Sequence, residues 1–183
     1  MAYKIMLAKS TVLLDEVYKL RHKVFVEEEG LLQPTHDGRI IDRFDAYPTT
    51  SNLIVIDGDE VVGAFRLVLD SPVGTPADDY FDFRQHVPKD SQLMHSSLLC
   101  IAQDHRSTKL TTGLTLMAAY FAEVHGVFHV VAPITPMITT LLKRVGYRMV
   151  GEAFIEPHTQ ATMIPMVLDI SIPSSKTAIF KCH

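Results

Sequence analysis

The sequence predicts an α+β domain with a central, twisted sheet that is mixed but mostly antiparallel and is flanked by helices. The turn Asp57-Gly58-Asp59 lies between two apolar runs, which indicates a β-hairpin because Asp-Gly readily adopts the positive φ angles of tight hairpin turns. Farther along the chain, short apolar strands alternate with amphipathic helices, as crossover connections require. Hairpins combined with crossovers exclude an all-parallel sheet.

The composition fits one globular domain over residues 1–183, with residues 171–183 as a C-terminal tail. The chain is 47% hydrophobic and 21% charged, close to the average of globular proteins. A chain of 183 residues is long enough to bury a core of its own. A net charge of −4 and the absence of a long basic run argue against nucleic acid as a partner.

The cysteines and the N-terminal sequence indicate a cytoplasmic protein. Only Cys100 and Cys182 are present, which gives no disulfide framework and suits a reducing compartment. The N-terminus lacks a signal-peptide pattern, and polar residues interrupt every apolar stretch before it reaches membrane-spanning length. We therefore expect no membrane insertion, and both a monomer and a homodimer stay open.

Spacing and turn residues place the individual elements. Ser10 or Thr11 can cap a first helix, and Thr135 can cap a later one. The three predicted helices end at Gly30, Gly126 and Gly146. The predicted strands cover residues 3–8, 52–56, 60–69, 93–102, 127–132, 147–155 and 161–170.

Two irregular segments separate these elements. Residues 31–51 carry Asp42 and Asp45, and an ordered loop of that length is usually functional. Residues 70–92 contain several prolines around the aromatic residues Tyr80, Phe81 and Phe83, which predicts a loop with at most one short helix.

The transition from the strand 93–102 to the next helix has the form of an anion-binding site. The polar loop 103–109 leads into the helix, and free N–H groups at a helix start, together with the helix dipole, attract an anion. The alternative is an ordinary strand-to-helix turn without a ligand. The loop has no phosphate-loop pattern, and the chain has no Gly-x-Ser-x-Gly elbow, so nucleotide hydrolysis and serine hydrolysis have no support.

Two parts of the sequence resemble known acyltransferases. In residues 135–151 an amphipathic helix ends in the pair Gly146-Tyr147, which resembles the late helix and strand of the GNAT superfamily. The N-terminal half resembles acyl-homoserine-lactone synthases and long-chain N-acyl amino acid synthases. The motifs that carry this second resemblance are Arg21 with Phe25, the run Asp42-Arg43-Phe44-Asp45, and Arg66-Leu67. The resemblance implies a GNAT-like acyl-CoA N-acyltransferase fold.

Several positions depart from the lactone synthases. Ile40 and His95 stand where those enzymes carry a glutamate, and Leu98 stands where they carry an arginine. The tryptophan of that family is also missing, because the chain contains no Trp. A site without these carboxylates and this arginine fits a general N-acyl amino acid synthase better than a lactone synthase.

The resemblance implies an enzyme that transfers acyl groups other than aminoacyl groups. The donor is an acyl thioester of acyl carrier protein or coenzyme A, and the acceptor is the amine of an amino acid or a related small molecule. Two alternatives stay open: acetyl-coenzyme A transfer to a small amine, and a non-catalytic module that binds acyl thioesters. No metal is expected, since His125 and His129, the only histidines four apart, straddle Gly126.

Attack by an amine on a thioester requires a neutral amine and donors for the developing oxyanion. Asp42, Asp45 and His95 are the candidate catalytic bases, and the two aspartates could instead hold the ammonium group of the acceptor. An imidazole is suited to the role of base because it titrates near neutral pH. Arg21 and Arg66 either bind a carboxylate of the acceptor or tie the acidic loop to the sheet through the aspartates.

The thioester is expected beside the strand 93–102 and the loop after it. The predicted donor-binding residues are Leu99, Cys100, Ile101, Arg106, Ser107, Thr108 and Lys109. Because this loop lacks glycines, carrier-bound pantetheine or a loosely held coenzyme A fits it. Cys100 lies on an apolar strand with nothing adjacent to lower its pKa, so direct transfer is favoured over an acyl-cysteine. The remaining predicted substrate contacts are Phe25, Phe81 and Phe83.

Overall fold

The structure is a computed structural model that describes residues 3–157 and 159–171. Three α-helices are present in this part of the chain: α1 (Thr11–His22), α2 (Thr108–Val124) and α3 (Pro136–Val145). The strands are β1 (Lys4–Leu7), β2 (Thr50–Asp57), β3 (Glu60–Leu69), β4 (Leu93–Ile101), β5 (His129–Ile134), β6 (Arg148–Met149), β7 (Phe154–Ile155) and β8 (Thr162–Asp169).

The strand order is β1-β2-β3-β4-β5-β8-β6, and β7 pairs with β8. Antiparallel ladders join β1 to β2, β5 to β8 and β6 to β8, whereas β4 and β5 are parallel. The order confirms the predicted α+β class with a mixed, mostly antiparallel sheet. The chain divides into two compact units, a first unit of Met1–Leu67 with Ser97–Thr115 and a second unit of Val68–Ser96 with Leu116–His183.

In the first unit, α1 begins where the sequence predicts. The Ser10 hydroxyl accepts a hydrogen bond from the Leu13 N–H at 3.2 Å and caps the helix. The apolar stripe of α1 contributes Val17 and Leu20 to a core whose other members are Val24, Ile54, Val61, Ala64, Cys100 and Ala102. The helix continues as a wide π-helical turn, Lys23–Glu28, which the periodicity did not reveal. Such turns are rare and are frequently found at functional sites.

In the second unit, several helix and strand boundaries differ from the predicted ones. Two short 3₁₀ helices, Pro76–Asp79 and Phe83–His86, replace the single short helix expected in residues 70–92. Thr135 stands at the N-cap of α3, but its side chain makes no capping hydrogen bond. The strand β5 begins at His129 and ends at Ile134, two residues later at each end than predicted.

The predicted strand 147–155 is also wrong, because it is divided into β6 and β7. Gly151 lies in the interruption, where a Cβ atom would come within 3.1 Å of the Phe81 ring and 3.3 Å of Pro165. The Val150 N–H donates to the Pro165 carbonyl at 3.0 Å. The chain therefore passes close to the Phe81 ring and Pro165 at the point where the pairing with β8 is interrupted, and a larger side chain there would require these neighbours to shift.

Candidate active site

The acidic motif of the first unit folds as a tight 3₁₀ turn, Arg43–Ala46. Asp42 accepts a hydrogen bond from the Phe44 N–H at 2.8 Å, and Asp45 accepts one from the Asp42 N–H at 3.1 Å. Two acidic side chains three residues apart thus cap each other's backbone, as in a capping box. Phe44 is buried and anchors the turn, so the local sequence itself holds both carboxylates in a fixed relation.

Arg21 binds this turn from helix α1. Its side chain is wholly buried, and its Nη1 donates to both carboxylate oxygens of Asp45, at 3.0 and 2.9 Å. Its Nη2 donates to Oδ1 of Asn52 on β2 at 2.6 Å. A buried ion pair survives only when such hydrogen bonds offset the loss of hydration. Arg21 therefore links α1, the acidic turn and β2.

Arg66 binds the same turn from β3. Its Nη1 donates to Asp42 at 2.6 Å and lies 3.4 Å from Asp45, and its Nε donates to the Ser97 hydroxyl of β4 at 3.1 Å. Of the two roles left open for Arg21 and Arg66, the geometry displays the tie between the acidic loop and the sheet. Contact of either arginine with a substrate stays a prediction.

The two carboxylates differ in their access to solvent. The Asp45 side chain is 1% exposed, whereas the Asp42 side chain is 44% exposed. Partial burial acts to raise the pKa of Asp42, but the charge and hydrogen bond of Arg66 and the Phe44 N–H outweigh it and lower the pKa. Asp42 is therefore ionised at neutral pH. A carboxylate of lowered pKa is a weak base but a good partner for a cation.

The strand β4 is kinked beside this cluster. Leu98 has a φ of +51°, a left-handed backbone conformation that branched and bulky residues adopt only under strain. Ser97, Leu98 and Leu99 are half-buried, whereas the residues on either side of them in β4 are buried. Ser97, the partner of Arg66, directly precedes this residue, and β4 continues past it to Ile101. Irregular strand positions are common next to active sites because they re-aim backbone and side-chain groups.

The loop between β4 and α2 holds its polar groups in contacts of its own. Arg106 pairs with Glu28 at 2.7 Å and Glu29 at 3.0 Å, and its Nε donates to the Ile101 carbonyl at 3.0 Å. The Ser107 hydroxyl caps α2 by accepting the Leu110 N–H at 3.3 Å. Two of the four predicted donor-binding residues of the loop, Arg106 and Ser107, thus form hydrogen bonds or ion pairs within the protein. Thr108 and Lys109 are the other two, and both are exposed.

Cys100 lies in the apolar core of the first unit and is 2% exposed. Burial raises the pKa of its thiol to about 12. The thiolate is the nucleophilic form of cysteine, so this environment opposes covalent catalysis and agrees with direct transfer.

The other predicted site residues have different surroundings. Phe25 is half-buried against the core of the first unit. In the second unit, His95 is wholly buried on β4 and lies opposite Val131 of β5. Phe83 belongs to the core of that unit, and the ring of the half-buried Phe81 lies 4.7 Å from it. The roles assigned to these four residues stay predictions.

Two residues of the cluster, Asn52 and Ser97, were not predicted from the sequence. Asn52 is buried at the end of the polar run that opens β2, so its sequence neighbours gave no sign of its burial. Ser97 carries no signal either, since a serine in a strand is ordinary, and Leu98 was singled out only as a departure from the lactone synthases. In residues 3–157 and 159–171 no group of three or more His, Cys, Asp or Glu side chains is arranged to hold a metal ion. Within the same residues, none of the helices has the length and apolarity needed to cross a membrane.

Comparison with known proteins shows which family the chain belongs to. The sequence model of the family described as "N-acyl amino acid synthase FeeM" matches residues 16–169. Comparison with curated sequences gives no significant match. Among solved structures, FeeM, an N-acyl amino acid synthase from uncultured soil microbes, has a TM-score of 0.82 at 14% identity and covers 100% of this chain and 97% of its own.

Two further structures share the fold at low identity. The acyl-homoserine-lactone synthase LasI has a TM-score of 0.77 at 18% identity, over 97% of this chain and 93% of its own. A putative N-acetyltransferase from Lactobacillus plantarum has a TM-score of 0.68 at 19% identity, over 93% of this chain and 99% of its own. The fold is therefore that of the GNAT acyltransferases, as the late helix and strand implied.

The class that fold and sequence define is an acyltransferase that moves an acyl group to an amine. More narrowly, the chain belongs to the FeeM family of N-acyl amino acid synthases. The superfamily that residues 135–151 indicated and the family that the motifs at Arg21, Asp42 and Arg66 indicated are both confirmed.

Proposed function

We propose that this enzyme acylates the amine of an amino acid and that Asp42 holds the amine of the acceptor. One observation carries the proposal: the cluster of Arg21, Asp45, Arg66 and Asp42 leaves a single carboxylate, that of Asp42, substantially exposed to solvent. Arg66 keeps that carboxylate ionised through a 2.6 Å hydrogen bond. An ionised, partly buried carboxylate binds an ammonium group through charge-assisted hydrogen bonds.

The remaining cluster members position Asp42 and do not touch the substrate in this proposal. Asp45 is 1% exposed, and both arginines bind it. It therefore holds Arg66 in place, and Arg66 in turn binds Asp42. The low pKa of Asp42 makes it a poor acceptor of the ammonium proton. His95 or a water chain to bulk solvent remains the predicted base.

The transfer step is direct. The neutral amine attacks the thioester carbonyl, a C–N bond forms, the C–S bond breaks, and the proton lost by the amine balances the one that the departing thiolate gains. The backbone amides of residues 99–101, next to the kink at Leu98, are proposed to stabilise the oxyanion. A thiol as inert as that of Cys100 takes no covalent part.

The donor is proposed to be an acyl thioester on a phosphopantetheine arm. The lactone synthase BjaI, which shares the fold with a TM-score of 0.72 at 22% identity, is coenzyme A-dependent and was solved with isopentyl-CoA. In this chain Arg106 is neutralised by Glu28 and Glu29, so the loop offers less positive charge to the phosphates of coenzyme A. We therefore favour acyl carrier protein over free coenzyme A as the donor, in a cytoplasmic setting.

The test is a thiol-release assay combined with product mass spectrometry. The enzyme is incubated with an amino acid mixture and with acetyl, octanoyl or palmitoyl thioesters, each as coenzyme A and as carrier-protein derivative. We expect amino acid-dependent thiol release with long-chain carrier-protein thioesters and the mass of an N-acyl amino acid. Release with acetyl-coenzyme A alone would support small-amine acetylation, and no release with any donor would support a binding module.

The role of Asp42 is tested by Asp42→Asn, with Asp37→Asn as the matched control. Asp37 is an exposed carboxylate of the same loop. Hydrogen bonds to charged groups contribute about 1.5–3 kcal/mol, so Asp42→Asn should raise the KM of the amine about tenfold or more with kcat much less affected. Unchanged KM in Asp42→Asn, or an equal rise in Asp37→Asn, contradicts this role.

A further inference from the structure

The π-helical turn after α1 brings consecutive glutamates to different partners. Glu27 and Glu28 end this turn and Glu29 follows it, and the Glu29 N–H donates to the Val24 carbonyl, five residues earlier, at 3.0 Å. The Glu27 carboxylate lies 3.0 Å from His22 of α1, and its side chain is 61% exposed. The Glu28 carboxylate instead contacts the loop between β4 and α2. A π-helical turn spaces its side chains differently from an α-helix, so neighbouring glutamates meet two separate parts of the first unit.

The Glu28 carboxylate binds the loop through both of its oxygens. Oε1 accepts a hydrogen bond from the Gln103 N–H at 3.3 Å, and Oε2 accepts one from Nη2 of Arg106 at 2.7 Å. The same Nη2 lies 3.0 Å from Glu29. The Glu28 side chain is only 11% exposed, and charge-assisted hydrogen bonds of this length are among the strong ones. Glu28 is therefore fixed on the loop.

The two groups that Glu28 occupies are the kind that bind phosphate. Backbone N–H groups and guanidinium groups both donate to phosphate oxygens, and a guanidinium suits them by its planar geometry as well as by its charge. In this chain the Gln103 N–H and the Arg106 guanidinium both donate to Glu28. A carboxylate of the protein thus stands where a phosphate of the substrate would find its donors.

The charges around the loop give the same result. The loop 103–109 and the two glutamates that contact it contain two cations, Arg106 and Lys109, and three carboxylates, Asp104, Glu28 and Glu29. With histidine neutral, negative charge is in excess. Charges at the surface of a protein act on one another over about 10 Å at moderate salt. The loop should therefore disfavour a ligand more strongly as the ligand carries more negative charge.

The two candidate donors differ in that charge. Both present the acyl group on a phosphopantetheine arm. On a carrier protein the arm ends in a single phosphodiester, whereas coenzyme A continues with a pyrophosphate and carries a further phosphate on its ribose. An internal carboxylate at the loop therefore penalises coenzyme A more than it penalises a carrier-bound arm.

We propose that Glu28 is a specificity-determining residue that makes the enzyme discriminate against coenzyme A in favour of a carrier-bound thioester. The inference rests on the proposed transfer from a phosphopantetheine thioester, and it assigns the choice of donor to one side chain. Glu28 takes no part in the chemistry. It acts by occupying the Gln103 N–H and the Arg106 guanidinium and by repelling the additional phosphates.

The test compares Glu28→Gln with Glu27→Gln, which makes the same charge change in the same turn without a contact to the loop. Binding of free coenzyme A is measured by calorimetry with no amine present. Glu28→Gln keeps the size of the side chain and releases the charge of Arg106, so the Kd of coenzyme A should fall about tenfold, as expected for one hydrogen bond to a charged group. In Glu27→Gln the Kd should equal that of the wild type.

Two additions separate lost charge from a loosened loop. Adding Arg106→Gln to Glu28→Gln should remove the gain, and higher salt should reduce it, because only a gain based on charge is screened. Glu29→Gln, which removes the second partner of Arg106, is an independent variant and should give a smaller gain in the same direction. Unfolding midpoints from circular dichroism verify that each variant is folded.

Turnover gives a second measurement. In Glu28→Gln the ratio of kcat/KM for an acyl-coenzyme A to that for the same acyl carrier protein thioester should rise by about the same factor. Unchanged coenzyme A affinity in Glu28→Gln, an equal gain in Glu27→Gln, or a gain that survives Arg106→Gln overturns the proposal. Binding requires no turnover: if no donor yields an N-acyl amino acid, the proposed function fails, and the coenzyme A affinities still decide the role of Glu28.

Discussion

Two groups of buried side chains in this chain meet opposite physical requirements. In the first unit, Arg21 and Asp45 are buried to 0% and 1% exposure in a cluster held by ion pairs and hydrogen bonds. In the second unit, aromatic rings pack against one another: Phe83 is buried, and Tyr80, Phe81, His86 and Phe154 are half-buried. The charged cluster needs hydrogen-bond partners for its buried polar atoms, whereas the aromatic group needs mainly to fill its volume.

This difference indicates what the charged cluster and the aromatic group each contribute to the protein. A buried ion pair roughly balances its own desolvation and is often replaceable by apolar residues without loss of stability. Among the described residues, the buried Nε of Arg21 even lacks a hydrogen-bond partner. The charged cluster is therefore better explained by what it positions, Asp42, than by the stability it adds. The aromatic group shows the reverse, since burial of Phe83 stabilises without presenting any polar group.

The largest expected effect comes from removing one partner of the buried pair. Arg21→Ala leaves the buried Asp45 carboxylate without the Arg21 Nη1 that donates to both of its oxygens, which should cost about 3–5 kcal/mol of the free energy of unfolding. Urea unfolding monitored by circular dichroism measures it. The matched control is Arg39→Ala, which removes an arginine–aspartate pair at the surface, between Arg39 and Asp15, and should leave the unfolding midpoint almost unchanged. A comparable loss in both variants would mean that burial does not distinguish the two pairs.

The aromatic group should respond in proportion to burial. Phe83 is 2% exposed, and Phe83→Ala should cost about 3 kcal/mol through lost burial and the cavity left behind. Phe81 is only half-buried, so Phe81→Ala should cost clearly less, measured by the same urea unfolding. If Phe81→Ala is the more destabilising change, stacking on His86 and Phe154 outweighs burial in this group.

A smaller effect separates Asp42 from an ordinary surface carboxylate. Its pKa is lowered in the folded state from an ordinary value of 3.8, so its stabilising contribution is fully present above that value and is lost as the pH falls through the folded pKa. The difference in unfolding midpoint between the wild type and Asp42→Asn should be constant from pH 7 to pH 5 and should shrink below pH 4. A difference that grows on acidification would show a raised pKa and remove the argument for an ionised Asp42.

Local chemistry made part of this fold predictable. Ser10 caps α1, Gly58 begins the hairpin turn, and Asp42 with Asp45 forms a turn of its own, all through contacts within a few residues. Both partners of such a contact are close together in the sequence, so the contact can be predicted from the local residues. Arg21 and Arg66, whose side-chain partners lie 21 to 31 residues away, were identified instead by the resemblance to a known family, which left two roles open for them.

The features that escaped prediction depend on distant partners. No glycine or proline at Leu98 indicates its left-handed backbone conformation. The pairing of Arg106 with Glu28 joins residues that are far apart in the chain. The interruption at Gly151 arises where the Phe81 ring and Pro165 come close. Periodicity reports which side of an element faces a core, but it contains no information about which distant side chain will meet it there.

The smallest expected effect concerns Cys100, which lies in an apolar core yet on the kinked strand of the charged cluster. With a pKa of about 12, only about 1 in 10⁴ of its thiols is ionised at pH 8. We expect Cys100→Ala to keep kcat and KM for both substrates within about twofold of wild type, since no step of direct transfer uses the thiol. A second measurement uses the wild-type enzyme in its native state, where a thiol reagent should modify at most one of the two cysteines at pH 8. Loss of turnover in Cys100→Ala with an unchanged unfolding midpoint would instead place a covalent intermediate on β4. Such a result would make the kink at Leu98 a device for exposing that thiol to the thioester.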